Sequence, residues 1–152
     1  MTGEIQVRKA TITDAEHIIK FNIAMAKETE DKALPLEKIT AGVMRLLEKP
    51  EHGFYLLAEK EGQIAGSLMI TYEWSDWRDG LFWWIQSVYV KPEFRRTGIY
   101  RSLYTHVKML AEKDGTVCGF RLYVEKENFI AQKTYRSLGM QKTNYIIYEQ
   151  LV

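Results

Sequence analysis

Polar and apolar residues alternate from Glu4 to Ala10, with Ile5 and Val7 on one side, which predicts a short strand. The spacing then changes. Thr13-Asp14-Ala15-Glu16 has the arrangement of a capping box and predicts a helix start. Ala15, Ile18, Ile19, Met25 and Ala26 keep helical spacing to about Lys27, where the acidic run Glu28-Thr29-Glu30-Asp31 interrupts it. Pro35 opens a second helix with Leu36, Ile39, Val43, Leu46 and Leu47 on one face. Beyond Pro50 and Gly53 the chain reads as strands: Phe54 to Lys60, a turn at Glu61-Gly62, Gln63 to Trp74, then Leu81 to Val90 after the polar loop Ser75 to Gly80. A third helix runs from about Gly98 to Asp114, with Ile99, Leu103, Val107 and Leu110 on one side. Gly119 to Val124 is a strand, Asn128 to Leu138 a helix stopped by Gly139, and Met140 to Glu149 a last strand.

The order β-α-α-β-β-β-α-β-α-β predicts an α/β fold. Hairpins in the first half imply antiparallel pairing, and strand-helix-strand units in the second half imply parallel pairing. A mixed sheet with helices on both faces satisfies both. The length of 152 residues suits one domain, 1–152, able to bury about two thirds of its unfolded surface. With 46% apolar and 27% charged residues the composition is that of a soluble globular protein. A net charge of +1 provides no field toward nucleic acid or an anionic membrane. Met1 to Ala10 lacks the apolar segment and cleavage site of a signal peptide, and no stretch approaches the roughly 20 apolar residues of a membrane span, so a cytoplasmic location is expected. The lone Cys118 can form no internal disulfide or zinc site and is expected as a small buried hydrophobe on a strand. His17, His52 and His106 have no metal or triad spacing, so no metal is expected.

Candidate chemistry concentrates where the strand ending at Val90 turns through Lys91-Pro92-Glu93-Phe94 into Arg95-Arg96-Thr97-Gly98-Ile99-Tyr100-Arg101. The first amides of a helix have no intrahelical acceptor, and the helix dipole makes that end partly positive. An anion there meets several N–H donors at once, as a pyrophosphate would. Gly98 lets the backbone approach closely, and three arginines add attraction. The loops GxxxxGK[ST] and GxGxxG are both absent. Farther on, Asn128, Ala131 and Tyr135 fall at i, i+3 and i+7, along one helix face.

Together these stretches resemble the GNAT superfamily of N-acetyltransferases. Arg95 to Tyr100 matches the first and fourth positions of that family's [QR]-x-x-G-x-[GA] motif, and Asn128 to Met140 matches N-x-x-A-x-x-x-Y-x-x-x-G-[FM] at each named position. The order of elements is similar to the family's throughout, and the layout is similar to the small-amine branch that includes spermidine/spermine acetyltransferases. The resemblance implies a mostly antiparallel central sheet of about six to seven strands, acetyl-CoA as cosubstrate, an amine acceptor and, by family habit, a homodimer. It implies that Val88, Tyr89 and Val90 pair by backbone with the pantetheine arm, that amides from Arg96 to Arg101 hold the pyrophosphate, that Asn128 hydrogen-bonds the arm beside Ala131, and that Tyr135 protonates the departing thiolate. A phenol of pKa about 10 is protonated at neutral pH and can do so.

Two positions depart from the family pattern. Tyr100 stands where Gly or Ala is usual, so its side chain must point away from the phosphate. Gln86-Ser87 stands where many members carry a glutamate base, which leaves a nearby acid such as Glu73, a chain of waters, or an amine that arrives neutral. A cationic acceptor would suit an acidic, aromatic pocket. Glu28, Glu30 and Asp31 are candidates, with Glu73, Trp74, Asp76, Trp77 and Asp79 before the long strand. Trp83 and Trp84 must face opposite ways, placing one in the core and leaving Trp84 and Gln86 as candidates for the cleft. A catalytically idle acyl-CoA sensor on the same fold is the competing expectation. A domain that reads peptide or nucleic acid is a third, with near-zero charge against the nucleic-acid version.

Overall fold

The alternating segments pair into one five-stranded sheet, in a computed structural model that describes residues 3–152. The chain divides between Leu122 and Tyr123 into two compact units. Met1 and Thr2, the start of the segment read for a signal peptide, lie outside the described residues.

In the first unit the strands β1 (Gln6–Lys9), β2 (Gly53–Lys60), β3 (Gln63–Ser75), β4 (Gly80–Val90) and β5 (Val117–Arg121) lie side by side in sequence order. All neighbours are antiparallel except β4 and β5. That pair is parallel because α3 (Ile99–Asp114) carries the chain back between them. At the β2–β3 hairpin Glu61 and Gly62 have φ of 54° and 73°, the left-handed pair that matches strand twist in a two-residue turn.

Helices α1 (Ala15–Glu30) and α2 (Leu36–Glu48) cover one face. Ala15, Ile18 and Val43 pack there against Tyr55 and Leu57. On the other face, α3 buries Ile99, Leu103, Tyr104 and Val107. Each fully buried aliphatic side chain contributes about 1.5–3 kcal/mol.

The start of α1 differs from expectation. The capping box falls at Thr11 and Asp14, where the Asp14 carboxylate accepts from the Thr11 amide at 2.7 Å, while Glu16 pairs with Lys20. Arg8 explains the shift, because its guanidinium grips Asp14 at 2.8 and 2.9 Å and anchors that turn to β1. The helix also runs on through the acidic stretch and ends at Asp31, φ 50°. Cys118 lies on a strand as read but is exposed, since β5 is an edge strand with β4 as its neighbour on one side.

The second unit contains α4 (Phe129–Ser137). Gly139, φ 96°, closes it: its amide reaches the Arg136 carbonyl and that of Met140 the Tyr135 carbonyl, both at 3.1 Å. The final strand expected over Met140 to Glu149 is absent, so the sheet has five strands rather than six or seven. Ile146, Ile147 and Tyr148 are 64–90% exposed. An unbroken apolar run makes a strand when both its faces are covered, and no strand pairs with this one among the described residues.

Candidate active site

The long strand β4 changes partners along its length. It is flanked on both sides from Leu81 to Trp84, but its pairing with β5 ends at Trp84 opposite Arg121. Beyond that point Ile85 to Val90 pair with β3 alone, and no strand takes their outer edge among the described residues. A β-bulge adds to the divergence. Met69 faces Gln86 and Ser67 faces Tyr89, so Ser87 and Val88 together oppose one residue of β3, with Ser87 at φ 51°. The outcome is a strand edge over Val88 to Val90 that no other strand takes among the described residues, the geometry that accepts an extended ligand as an added strand.

This edge leads into the arginine-rich turn. After one 3-10 turn at Pro92–Phe94, Arg96 has φ 63° and Gly98, the N-cap of α3, φ 90°. Alternation of left-handed residues turns successive amides toward one side. The first helical bond runs from the Ser102 amide to the Gly98 carbonyl, leaving the amides of Ile99, Tyr100 and Arg101 without helical acceptors. No side chain caps this end and its first turn carries no acid, so the helix itself supplies no negative group to offset the dipole there. Tyr100, the discordant motif position, stacks on Tyr104 one turn along (centroids 6.2 Å apart, planes 23° apart). The ring therefore lies along the helix flank and leaves the amide end clear.

Arg95 does not face the amide end. Its Nε donates to the Val90 carbonyl at 2.9 Å, its Nη2 meets Glu28 at 2.7 Å, and its guanidinium lies over the Tyr89 ring at 5.6 Å. The Tyr89 hydroxyl donates to Glu28 over a long 3.3 Å, and burial followed by the Glu28 charge raises its pKa.

On the α1/α2 face of the sheet, Glu73, Trp84 and Gln86 come together as neighbours in the β3–β4 register. Trp84 Nε1 donates to Glu73 at 2.8 Å, and Arg121 Nη1 reaches the same carboxylate at 2.9 and 3.1 Å. These contacts, the indole bond first, hold Glu73 below the usual carboxylate range. A carboxylate so stabilised is a weak proton acceptor, which counts against Glu73 as the base. Gln86 donates to Thr71 Oγ1 at 2.6 Å. Trp83 is the core member of its pair, 4% exposed against the edge of Phe54, while Trp84 is half-buried.

The acidic, aromatic acceptor pocket is not assembled as expected. Trp74 is opposite in facing to its neighbour Glu73 by strand alternation, and Trp77 is 88% exposed at the hairpin tip beside the exposed Asp76 and Asp79. Glu28 is paired with Arg95, Asp31 with Lys27, and Glu30 with Lys32, so each acid near the end of α1 has a cation beside it. Sequence reasoning missed Arg121 and Thr71. Arg121 also stacks on Phe82, its Cζ 3.6 Å from the ring centroid. A polar residue in a strand gives no warning until pairing shows which residue lies opposite.

In the second unit, Asn128 is the N-cap of α4, its Oδ1 accepting from the Ala131 amide at 3.1 Å. This leaves the side-chain amide to serve as a donor. Tyr135 lies one helix face along, and burial raises its hydroxyl pKa, which keeps the phenol protonated at neutral pH.

A groove of about 390 Å³ between β1 and α3, lined by Ile5, Val7, Ser102, Thr105, His106 and Met109, shares Arg101 with the turn but lies away from the β4 edge. Among the described residues no cluster of three or more His, Cys, Asp or Glu could hold a metal, and no helix is long and apolar enough to cross a membrane.

The family model described as Acetyltransferase (GNAT) family matches residues 18–140. The chain belongs to the GNAT acetyltransferase family. It is therefore an acyltransferase. A solved structure of a possible acetyltransferase from Clostridium difficile 630 is 46% identical over 97% of both chains, with a TM-score of 0.90. Two more distant structures share the fold. An aminoglycoside N-acetyltransferase in complex with CoA is 20% identical (98% of this chain, 95% of that one, TM-score 0.80). A predicted acetyltransferase with acetyl-CoA from Clostridium acetobutylicum is 17% identical (97% and 96%, TM-score 0.77). Comparison with curated proteins gives no match. For this GNAT chain the matched span contains both sequence motifs, Arg95 to Tyr100 and Asn128 to Met140.

Proposed function

We propose that the chain, read as one domain over 1–152, transfers acetyl from acetyl-CoA to a primary amine of a small molecule or peptide by direct attack in a ternary complex. The observation that carries this reading is the continuity of two binding features. The outer edge of β4 beyond Trp84, taken by no strand among the described residues, leads through one turn to a helix start without a side-chain cap, an arrangement suited to an extended chain that ends in an anion. The edge suits the pantetheine arm on the backbone of Val88 to Val90, and the turn suits the pyrophosphate on the amides from Arg96 to Arg101. The two relatives of like fold that hold CoA or acetyl-CoA support the choice of cosubstrate.

In the reaction the neutral amine nitrogen attacks the thioester carbonyl, giving a tetrahedral oxyanion. The oxyanion then reforms the carbonyl as the carbon–sulfur bond breaks, Tyr135 donates its hydroxyl proton to the sulfur, and the proton that the nitrogen gives up to solvent is balanced by one that solvent returns to Tyr135. With Glu73 held as an anion by Trp84 and Arg121, the amine arrives neutral or loses its proton through water.

The test is release of free thiol from acetyl-CoA across a panel of primary amines, including small amines and peptide N-termini. Turnover with at least one acceptor is expected. Acetyl-CoA binding with no turnover across the panel would favour the sensor, in keeping with Gln86 at the place of the usual base.

A further inference from the structure

The motif position Arg95 would ordinarily be counted with the other arginines as attraction for phosphate, and Glu28 as a candidate for a cationic acceptor. The structure uses them on each other. Arg95 Nη2 meets Glu28 Oε2 at 2.7 Å, Arg95 Nε donates to the Val90 carbonyl at 2.9 Å, and the guanidinium rests over the Tyr89 ring. Glu28 belongs to the last turns of α1 and Val90 is the final residue of β4. Phe21 of α1 also packs on Tyr89, ring centroids 5.2 Å apart, so the contact continues down into the core. One side chain thus ties three elements together: α1, the end of β4, and the turn that opens α3.

We propose that the Glu28–Arg95 pair, seated on Tyr89 and the Val90 carbonyl, is a strut that fixes the phosphate-binding turn, making both residues positioning residues for coenzyme A rather than ligands of its pyrophosphate or of the acceptor. The physical reason lies in the turn itself. Arg96 holds a left-handed conformation, φ 63°, which is unfavourable for a side-chain-bearing residue and must be enforced by its surroundings. Arg95 precedes it directly, and its two anchors, one backbone and one carboxylate, are fixed by the sheet and by α1. A planar guanidinium serves both anchors at once, which a lysine ammonium at the end of a flexible stem does less well. The pair also neutralises Glu28, which would otherwise put an unbalanced negative charge beside an anion site.

This inference rests on the coenzyme A reading above, and calorimetric titration separates the two. Wild type, Glu28→Gln, Arg95→Gln, Arg95→Lys and the double Gln variant are titrated with acetyl-CoA and with S-acetylpantetheine, which lacks the pyrophosphate. Both side chains are about two-fifths exposed, so the variants are expected to fold. Each single change should raise the acetyl-CoA dissociation constant about threefold, the scale of a solvated ion pair. The double variant should be no weaker than the weaker single, and S-acetylpantetheine should bind all five proteins alike. Glu28→Gln that leaves acetyl-CoA affinity unchanged, or tightens it, overturns the strut and makes Arg95 a direct phosphate ligand. Equal losses for both ligands would also overturn it, because a general loosening of the fold does not single out the pyrophosphate. A wild-type protein that binds no acetyl-CoA removes the coenzyme A reading, and the strut with it.

Discussion

Gly98→Ala separates what the turn needs from its backbone and what it needs from its charge. Gly98 has φ 90° and ψ 10°, a left-handed conformation at the N-cap of α3. A Cβ built there meets Ile5 Cδ1 at 3.8 Å, an ordinary contact, so crowding contributes nothing. The cost is conformational, about 1–2 kcal/mol for an L-residue in the left-handed region. In a domain of this size each kcal/mol moves Tm by about 2–4 °C, so the variant should melt about 2–8 °C lower. Urea titration should show a lower midpoint with an unchanged slope. Gly42→Ala is the control, because Gly42 lies within α2 with nothing within 4 Å of its built Cβ. There the same change should stabilise, by up to about 1 kcal/mol. If Gly98→Ala is as stable as wild type, the left-handed requirement at this turn is refuted. If it is destabilised but binds acetyl-CoA with unaltered affinity, the amides of Ile99 to Arg101 are not the ones that hold the ligand.

Asp14 has its pKa held down to about 2 from 3.8, chiefly by its hydrogen bonds from Arg8. A depressed carboxyl stabilises above its unfolded pKa, so this contribution is present above about pH 4 and is lost as pH falls toward 2; Asp14→Asn should cost about 2 kcal/mol at pH 7 and little at pH 2, read by denaturation at both. Tyr135→Phe removes the proposed acid and should slow thiol release about a hundredfold with little change in acetyl-CoA affinity; full-rate release would reassign the proton donor. Glu73→Gln should leave the acid limb of the kcat/KM profile between about pH 6 and 9 in place, and loss of that limb would restore Glu73 as the base.

Much of the fold was legible because the sequence alternates clearly between two periods. The Glu61-Gly62 turn, the Pro35 helix start and the Gly139 stop each appear where local chemistry demands them, since each is decided by the residue's own backbone preference. The failures lie where a distant partner decides. The capping box moved to Thr11 and Asp14 because Arg8 on β1 captures the Asp14 side chain, a contact that spacing along the helix cannot show. The segment Met140 to Glu149 reads as a strand yet joins no sheet among the described residues, because a strand needs a neighbour as well as a pattern. The site divides in the same way. Gly98 and the open amides were visible as backbone chemistry. The engagement of Glu28 with Arg95, and of Glu73 with Arg121 from β5, depends on register between elements far apart in the chain.

The measurement that bears most directly on the central claim is thermal melting with and without acetyl-CoA. A ligand that binds the folded chain alone stabilises it by RT ln(1 + [L]/Kd), about 2.7 kcal/mol at a hundredfold excess over Kd, or a rise of several degrees in a domain of this size. A rise in Tm that grows with the logarithm of acetyl-CoA concentration is the predicted result. An unchanged Tm at millimolar acetyl-CoA would contradict the account.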